Sequence, residues 1–307
     1  MSFCNLHTHS VKSDGVYSQL DVAKMAIEHG IQVLSFTDHN ILSTKEELDA
    51  IEKQLDHRIK LVTGVEMSAR YKPRGQEAIE VHVLVLMYDP ARTTLQQVAE
   101  YNRSLDKSGR ARAMLKRLRD ECAIDLGTYE DICAAEKEVG HVGRAAVGRA
   151  LVRGGWCATF EEAMDRYLGD YGERLAWVPS QIPYASLEEV VLRAIASKGL
   201  PVLAHPLSYR LGEAELEELV RCFSSLTRTA PAGIECLYSP YCEADRKKLA
   251  ELGARYGLLP SAGSDFHGND RRSMTAEFPV EIYEALERAH SAALQERNDM
   301  TSSPEGN

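Results

Sequence analysis

Short apolar runs, each followed by a helix-period pattern, recur along this chain, and almost every run ends at or next to a histidine, aspartate or glutamate. Such alternation is the signature of parallel strands joined by helical crossovers. The runs are Phe3 to His7, Val33 to Thr37, Lys60 to Val65, Ile79 to Met87, Pro201 to Ala204, Gly233 to Leu237 and Leu258 to Gly263. They predict a seven-stranded α/β fold. In a parallel β/α barrel the C-terminal ends of the strands converge on one face, so ligating side chains placed there share one site.

The punctuation agrees with that reading. Ser18 with Asp21 three residues on starts a helix whose stripe is Val22, Met25 and Ala26, and Gly30 stops it. Ser43 is expected to cap the next helix, through about Leu55, and Asp89-Pro90 closes the fourth run because proline cannot continue a ladder. From Arg92 to about Pro183 strand signals are few. Helices are then expected over Ser186 to Lys198, Glu213 to Leu226, Glu243 to Tyr256 and Glu281 to Gln295. The division this predicts is a body of residues 1–91 and 184–300, an inserted helical, substrate-capping subdomain over 92–183, and a disordered tail over 301–307.

Composition narrows the classes. Hydrophobic residues at 44% and charged residues at 27% suit a globular protein with a sizeable core. A net charge of −10 argues against an extended nucleic-acid footprint or an anionic membrane surface. The apolar runs are too short for a membrane span and the N-terminus lacks a basic start with a long apolar region, so a cytoplasmic location is expected. Seven cysteines without a Cys-x-x-Cys pair fit neither a disulfide framework nor a zinc ribbon. One stretch runs against the acidic balance. Tyr101 to Arg119 holds seven basic residues and one acid, and on a single helix Arg103, Lys107 and Arg110 share a face that could meet phosphate.

The residues that gather at the strand ends are His7, His9, Asp14, Asp38, His39, Glu66, His82, His205, Asp265 and His267. Six of the ten histidines are among them; His29, His57, His141 and His290 read as solvated or internally satisfied. In a strand His7 and His9 point the same way, and Asp14 adds an oxygen from the next loop. Imidazole and carboxylate without thiolate suit Mn²⁺, Fe²⁺ or Zn²⁺, and the set exceeds what one ion needs. Two or three ions are therefore implied. Alone, His82 in an apolar strand would read as a core residue; the surrounding set makes it a ligand candidate.

The ordered series His7-Thr8-His9, Ser13-Asp14-Gly15, Thr37-Asp38-His39, Gly64-Val65-Glu66, the isolated His82, Ala204-His205-Pro206, Gly233-Ile234-Glu235 and Ser264-Asp265-Phe266-His267 resembles the polymerase and histidinol phosphatase (PHP) family of metal-dependent phosphoesterases. The resemblance covers about residues 3–90 and 185–270, and extends to the TrpH-like, cyclic phosphate dihydrolase branch, which also carries a helical insertion. It implies an α/β fold, a distorted (β/α)7 TIM-like barrel, and up to three ions, with Mn²⁺ first and Fe²⁺ or Zn²⁺ as alternatives. His7, His9, Glu66 and Asp265 would hold the first ion, Glu66, His82 and His205 the second, and the catalytic Asp14, His39 and His267 the third. Asp38 would orient a neighbouring histidine. Relatives carry an Arg-x-His-x-x-Arg helix in the insertion; here Arg144 and Arg149 match, while the histidine is Ala146, and a histidine after Glu235 is absent from Tyr238-Ser239-Pro240-Tyr241.

The resemblance implies hydrolysis of phosphate esters by a metal-activated hydroxide, with Arg144, Arg149 and Arg110 on the substrate phosphate and Glu235 facing substrate or orienting a ligand. The substrate expected first is a small cyclic ribose phosphate (5-phosphoribosyl 1,2-cyclic phosphate), opened as a diester and then cleaved as a monoester. The alternative is a nucleotide 3′,5′-bisphosphate or the 5′ end of a short oligonucleotide. C–N hydrolysis and a non-enzymatic metal module are the competing classes; the complete ligand set and the arginine pair weigh against both. No membrane partner and no extended nucleic acid is expected.

Overall fold

The computed structural model describes residues 2–105, 108–136, 143–169, 172–268, 274 and 278–302. The chain is a mixed α/β fold with two sheets. In the first, β1 (Phe3–Thr8), β2 (Ile31–Phe36) and β3 (Lys60–Val62) are parallel neighbours. The second holds β4 (Gly64–Tyr71), β5 (Ile79–Leu86), β6 (Leu200–Leu203), β7 (Gly233–Tyr238) and β8 (Leu259–Gly263) in sequence order. Backbone hydrogen bonds join the sheets at both sides. Glu66 N–H donates to Thr37 and Asn40 N–H to Glu66, while Asp265 N–H donates to His7 and His9 N–H to Phe266.

Two expectations about the strands are corrected. The run Lys60 to Val65 is not one strand: the chain leaves the first sheet after Val62 and enters the second at Gly64, so Glu66 lies inside β4 instead of at a strand end. Nor are all strands parallel. β5 is antiparallel to both β4 and β6. For β4 and β5 the reason is the connection: residues 72–78 are long enough for a hairpin and too short for the crossover a parallel pair requires.

Helices cover the outer faces. α1 (Gln19–Glu28) begins at Ser18 as expected, and with α2 (Lys45–Gln54) packs Val22, Ala26, Leu48 and Ile51 on the three-stranded sheet. The α2 cap is Thr44, not Ser43, because Thr44 and Glu47 form a reciprocal capping box. On the five-stranded sheet lie α8 (Leu187–Ala196), α9 (Glu213–Leu226) and α10 (Glu243–Arg255), joined by α3 (Thr93–Ser104), which comes earlier in the chain. An interior cluster of Cys4, Leu6, Val62, Leu84, Val202 and Ala262 draws on both sheets, and α11 (Val280–Ser302) closes it with Leu286. Each valine and leucine of this cluster contributes about 1.5–3 kcal/mol when removed from water.

The helical segment has a core of its own. α4 (Ser108–Cys122), α5 (Tyr129–Ala135), α6 (Arg144–Arg153), α7 (Phe160–Ala163) and a π-turn at Met164–Leu168 pack around Met114, Leu118, Ile132, Val147 and Leu151. Arg103 to Arg119 is not a single helix. α3 ends at Ser104, Leu105 turns extended, and α4 restarts at Ser108, a stretch where serine and Gly109 favour helix weakly. Lys107 lies outside the described residues, as does His141. α11 also runs beyond the expected Gln295, to Ser302; of the tail, residues 303–307 lie outside the described residues.

Candidate metal centre

The two strands nearest the start of each sheet set the geometry. β1 delivers His7 and, just past its end, His9, both fully buried; β4 brings Glu66 between them. Glu66 is the hub. Its Oε2 lies 3.4 Å from His7 Nε2, 3.2 Å from His9 Nε2 and 3.1 Å from His39 Nδ1. Its Oε1 lies 2.9 Å from His82 Nδ1 and 3.0 Å from His205 Nε2. Asp265, past β8, puts Oδ1 3.3 Å from His7 Nε2 and 3.0 Å from His9 Nε2. Asp14 reaches in from its loop to 3.2 Å from His267 Nε2 and 3.8 Å from His39 Nε2. All nine residues expected to hold metal are thus brought together.

Among the described residues three groups place ligand atoms within 4.8 Å of one another: His7, His9, Glu66 and Asp265; His9, Asp14, His39 and His267; and His39, Glu66 and His82. The first matches the set expected for one ion. His205 joins through Glu66. Two of these residues sit at positive φ, His205 at 25° and Asp265 at 53°, a conformation that costs non-glycine residues of order 1–3 kcal/mol and persists only where the surroundings enforce it.

Several members have an outer partner that fixes their orientation. Glu235, fully buried, lies 3.0 Å from His7 Nδ1, and its other oxygen accepts from the His205 backbone N–H at 2.7 Å. Of the two roles expected for Glu235, facing substrate or orienting a ligand, its contacts are those of the second: both oxygens are committed inside the protein, one beside His7 Nδ1, which leaves Nε2 toward the centre. Asp38 orients no histidine directly. It accepts from Ser10, Ser13 and Gln19, and so anchors the loop that carries Asp14. The Tyr238 hydroxyl donates to Asp265 Oδ2 at 2.9 Å, and Ser208 meets His205 Nδ1 at 2.8 Å.

Sequence reasoning missed Glu80, whose Oε1 lies 3.2 Å from His82 Nε2. The available signal was its spacing, two residues before His82 in one strand and so on the same face. Tyr238 entered only as a missing histidine, and nothing local in the sequence points to its bond with Asp265.

Burial opposes charge throughout, yet opposite charges win for most of the cluster. Imidazoles around them hold Glu66 and Asp14 well below the usual carboxylate range against the pull of burial. His9, although buried, is held up at about 10 by Asp265 and Glu66, and His82 at about 10 by Glu66 and Glu80. His39 is the exception: burial pushes it down to about 4, with His9 and His82 adding to the fall. The carboxylates stay ionised and draw positive charge into the site.

The fit of a metal is tested by atoms that lack other partners. His7 Nε2, His9 Nε2, His39 Nδ1, Asp14 Oδ1 and Glu66 Oε2 are buried and make no hydrogen bond, although buried polar atoms ordinarily make one. Five such atoms facing one another suit divalent cations.

The cluster opens onto a cleft of about 1060 Å³ whose far wall is the helical segment. Arg103, Arg110, Arg144, Arg149 and Arg174 all line it, with the rings of Tyr129, Phe160 and Trp177. Their availability differs. Arg149 is already engaged: its guanidinium binds Glu136 through Nε at 2.7 Å and Nη2 at 2.6 Å. Arg110 donates from Nε to the Val178 carbonyl and lies 3.7 Å from Glu80. Arg112, Lys116, Arg117 and Arg119 pair with acids on the surface, so that part of the basic stretch is a solvated face. Ala146 is fully buried in the helical segment's core and is not part of the cleft wall. Among the described residues no helix is long and apolar enough to cross a membrane.

The family model described as PHP domain matches residues 5–176. A 5′-3′ exoribonuclease of Haemophilus influenzae is 27% identical over 273 residues, spanning 86% of this chain and 89% of its own. A 3′,5′-nucleoside bisphosphate phosphatase of Chromobacterium violaceum is 29% identical, spanning 87% and 88%. A phosphoribosyl 1,2-cyclic phosphate 1,2-diphosphodiesterase of Eggerthella lenta is 26% identical, spanning 90% and 98%. Among solved structures, an amidohydrolase from Chromobacterium violaceum with bound sulfate and no metal superposes with a TM-score of 0.72 at 26% identity, covering 93% of this chain and 96% of that one. With the family model matched across more than half of its length and the ligand series converging on Glu66, the chain belongs to the PHP family.

Proposed function

We propose that this PHP-family phosphoesterase hydrolyses phosphate esters on a small phosphorylated ribose or nucleotide, with two to three divalent ions held around Glu66. The observation that carries the reading is the convergence of five imidazoles on the two oxygens of one buried carboxylate, at the floor of an arginine-lined cleft. His7, His9, Glu66 and Asp265 would hold one ion, Glu66, His82 and His205 a second, and Asp14, His39 and His267 a third. Nitrogen and oxygen donors without thiolate suit Mn²⁺, with Fe²⁺ or Zn²⁺ as alternatives. Bound there, the ions supply the positive charge that phosphoryl oxygens need during transfer.

The protein's own part is orientation. Glu235 and Tyr238 fix His7 and Asp265, and the Asp38 network fixes the loop of Asp14. Asp14 and His39 are the members most open to the cleft, so a phosphate meets the cluster there. Arg103 and Arg144, which line the cleft, would hold its non-reacting oxygens or a second phosphate. We read the strand ring as a distorted (β/α)7 barrel of residues 1–91 and 184–300, its third strand divided between the sheets as β3 and β4 to make eight, and the hydrogen bonds that join the two sheets at both sides support this. The segment 92–183 is read as the cap, in which α4 and the helices after it supply the far wall while α3 packs on the five-stranded sheet.

Two substrates fit the class. A cyclic ribose phosphate, opened as a diester and then cleaved as a monoester, is like that named for the Eggerthella relative. A nucleotide bisphosphate or the end of a short oligonucleotide is favoured by a specific feature, the aromatic lining of the cleft at Phe160, with Tyr129 and Trp177 nearby, each carrying a guanidinium over its ring, from Arg112 and Arg174. A base stacked on an aromatic ring gains about 1–3 kcal/mol, and a bare sugar phosphate has no plane to stack. The test is phosphate release by Mn²⁺-loaded protein from ribose 1,2-cyclic phosphate 5-phosphate and adenosine 3′,5′-bisphosphate side by side, with simple amides as a third arm. Faster turnover of the bisphosphate supports the stacking reading and turnover of the cyclic compound the diester reading; turnover of amides alone would overturn both.

A further inference from the structure

Glu80 takes no place among the nine expected ligands, yet it stands between the centre and the helical segment. It precedes His82 by two residues in β5, so both side chains point from the same face of the strand. One oxygen lies 3.2 Å from His82 Nε2 and the other 3.7 Å from Arg110 Nη1. Beyond Glu80, Arg110 on α4 is seated by its Nε on the Val178 carbonyl at 2.9 Å and lies over the Trp177 ring at 5.9 Å. Inward, His82 Nδ1 lies 2.9 Å from Glu66. A continuous series, Arg110, Glu80, His82, Glu66, thus runs from the cap to the hub.

The chemistry of an imidazole ligand gives this series a purpose. A histidine that offers one nitrogen to a cation carries its proton on the other, and an acceptor there fixes both tautomer and ring angle. For His7 that acceptor is Glu235, sealed in the interior. For His82 it is Glu80, which lines the cleft and is paired with an arginine from a different part of the chain. The two pairs therefore differ in one respect: the hold on His82 depends on where α4 sits.

We propose that Glu80 is a positioning residue for His82 and that, through Arg110, it ties the seating of the helical segment to metal retention at the His82 end of the centre. Arg110, expected from the sequence to contact the substrate phosphate, acts in this scheme through Glu80. The proposal rests on the metal reading above.

The experiment titrates purified protein with Mn²⁺ alone by calorimetry, alongside thermal melting and the dependence of phosphate release on Mn²⁺ concentration. Glu80→Gln is expected to weaken one class of Mn²⁺ site by about 10–100-fold, the range for losing such an outer partner, and to leave the other class unchanged. Its kcat is expected to recover at saturating Mn²⁺, and Glu80→Asp to restore part of the affinity. Arg110→Ala is expected to weaken the same class by a smaller factor, and the double variant to bind no worse than Glu80→Gln alone, because both act through one contact. Lys116→Ala, on the same helix but paired with Asp120 at the surface, serves as the unchanged control. If Glu80→Gln loses its cooperative melt, Arg110→Ala carries the test. A wild-type Mn²⁺ isotherm in Glu80→Gln, or losses that add in the double variant, would overturn the proposal while leaving the metal reading intact. Wild-type protein that takes up no Mn²⁺ would overturn both.

Discussion

Replacing Glu235 with glutamine tests whether buried outer partners set the metal-binding form of the histidines. The substitution conserves shape, but one of two accepting oxygens becomes an NH₂ donor. Suppose the amide oxygen keeps the His205 N–H at 2.7 Å. The NH₂ then faces His7 Nδ1 at 3.0 Å, which must accept, and the proton moves to Nε2. That nitrogen lies 3.4 Å from Glu66 and 3.3 Å from Asp265, where it now donates and has no lone pair to offer a cation. In the opposite orientation two donors meet in a buried site, at a cost of about 1–3 kcal/mol. Either way one ligand is compromised. We expect Mn²⁺ affinity at one class of site to fall about 10–100-fold, which is about 1.4–2.8 kcal/mol. Calorimetric titration near neutral pH reads this directly. An isotherm superimposable on wild type, in a variant with an unaltered melt, would refute the reasoning.

Other expectations follow from neighbouring contacts. A Cβ on Gly263 would meet His7 Cβ at 2.2 Å and Glu235 at 2.8 Å, so Gly263→Ala should destabilise by about 1–3 kcal/mol or more and depress metal uptake; a wild-type melt would contradict this. Asp14→Ala or His267→Ala should lower kcat on the order of 100-fold or more, since an ion's charge is worth several kcal/mol at a transferring phosphoryl group, and should reduce Mn²⁺ content measured by mass spectrometry. Arg144→Ala should raise KM more than it lowers kcat, as steady-state kinetics would show. Glu136 is a buried carboxylate that Arg149 and Arg153 hold below its ordinary value of 4.5 against the effect of burial. Its contribution, about 0.2–1 kcal/mol given partly exposed arginines, is present above that ordinary value and lost as pH falls through the lower folded one. Denaturation of Glu136→Gln should therefore differ from wild type near neutral pH and converge with it in acid.

The candidates were legible because strand-length apolar runs end at or beside histidine, aspartate or glutamate, and the resemblance then assigned nine of them to ions. His7 and His9 share a face by the period of two and Asp265 and His267 follow a strand end, whereas His82 in its apolar run became a candidate only through the set around it. What the sequence hid were choices made by packing. Lys60 to Val65 reads as one apolar run, yet the chain changes sheets at Thr63, and only the pairing of β4 with β5 reveals that Glu66 sits inside a strand. The basic stretch reads as one helix because serine and glycine between Ser104 and Gly109 weaken helix without forbidding it. The strand-end address of Glu235 left two roles open, facing substrate or orienting a ligand, and only its long-range contact with His7 distinguishes them. Arg149 matched a phosphate-binding pattern while its partner, Glu136 at the end of α5, lies thirteen residues away with no periodic relation to it. Long-range partners of this kind have no local signal.

The central claim is that Glu66 organises metal ions that the phosphoesterase reaction requires. Its most direct test is phosphate release by chelator-stripped and Mn²⁺-reloaded protein, wild type beside Glu66→Ala, with metal content measured on the same samples. Stripped wild type is expected to be inactive and to recover on reloading, whereas Glu66→Ala should neither retain the ions nor recover. Full activity in stripped wild type, or in Glu66→Ala, would contradict the account.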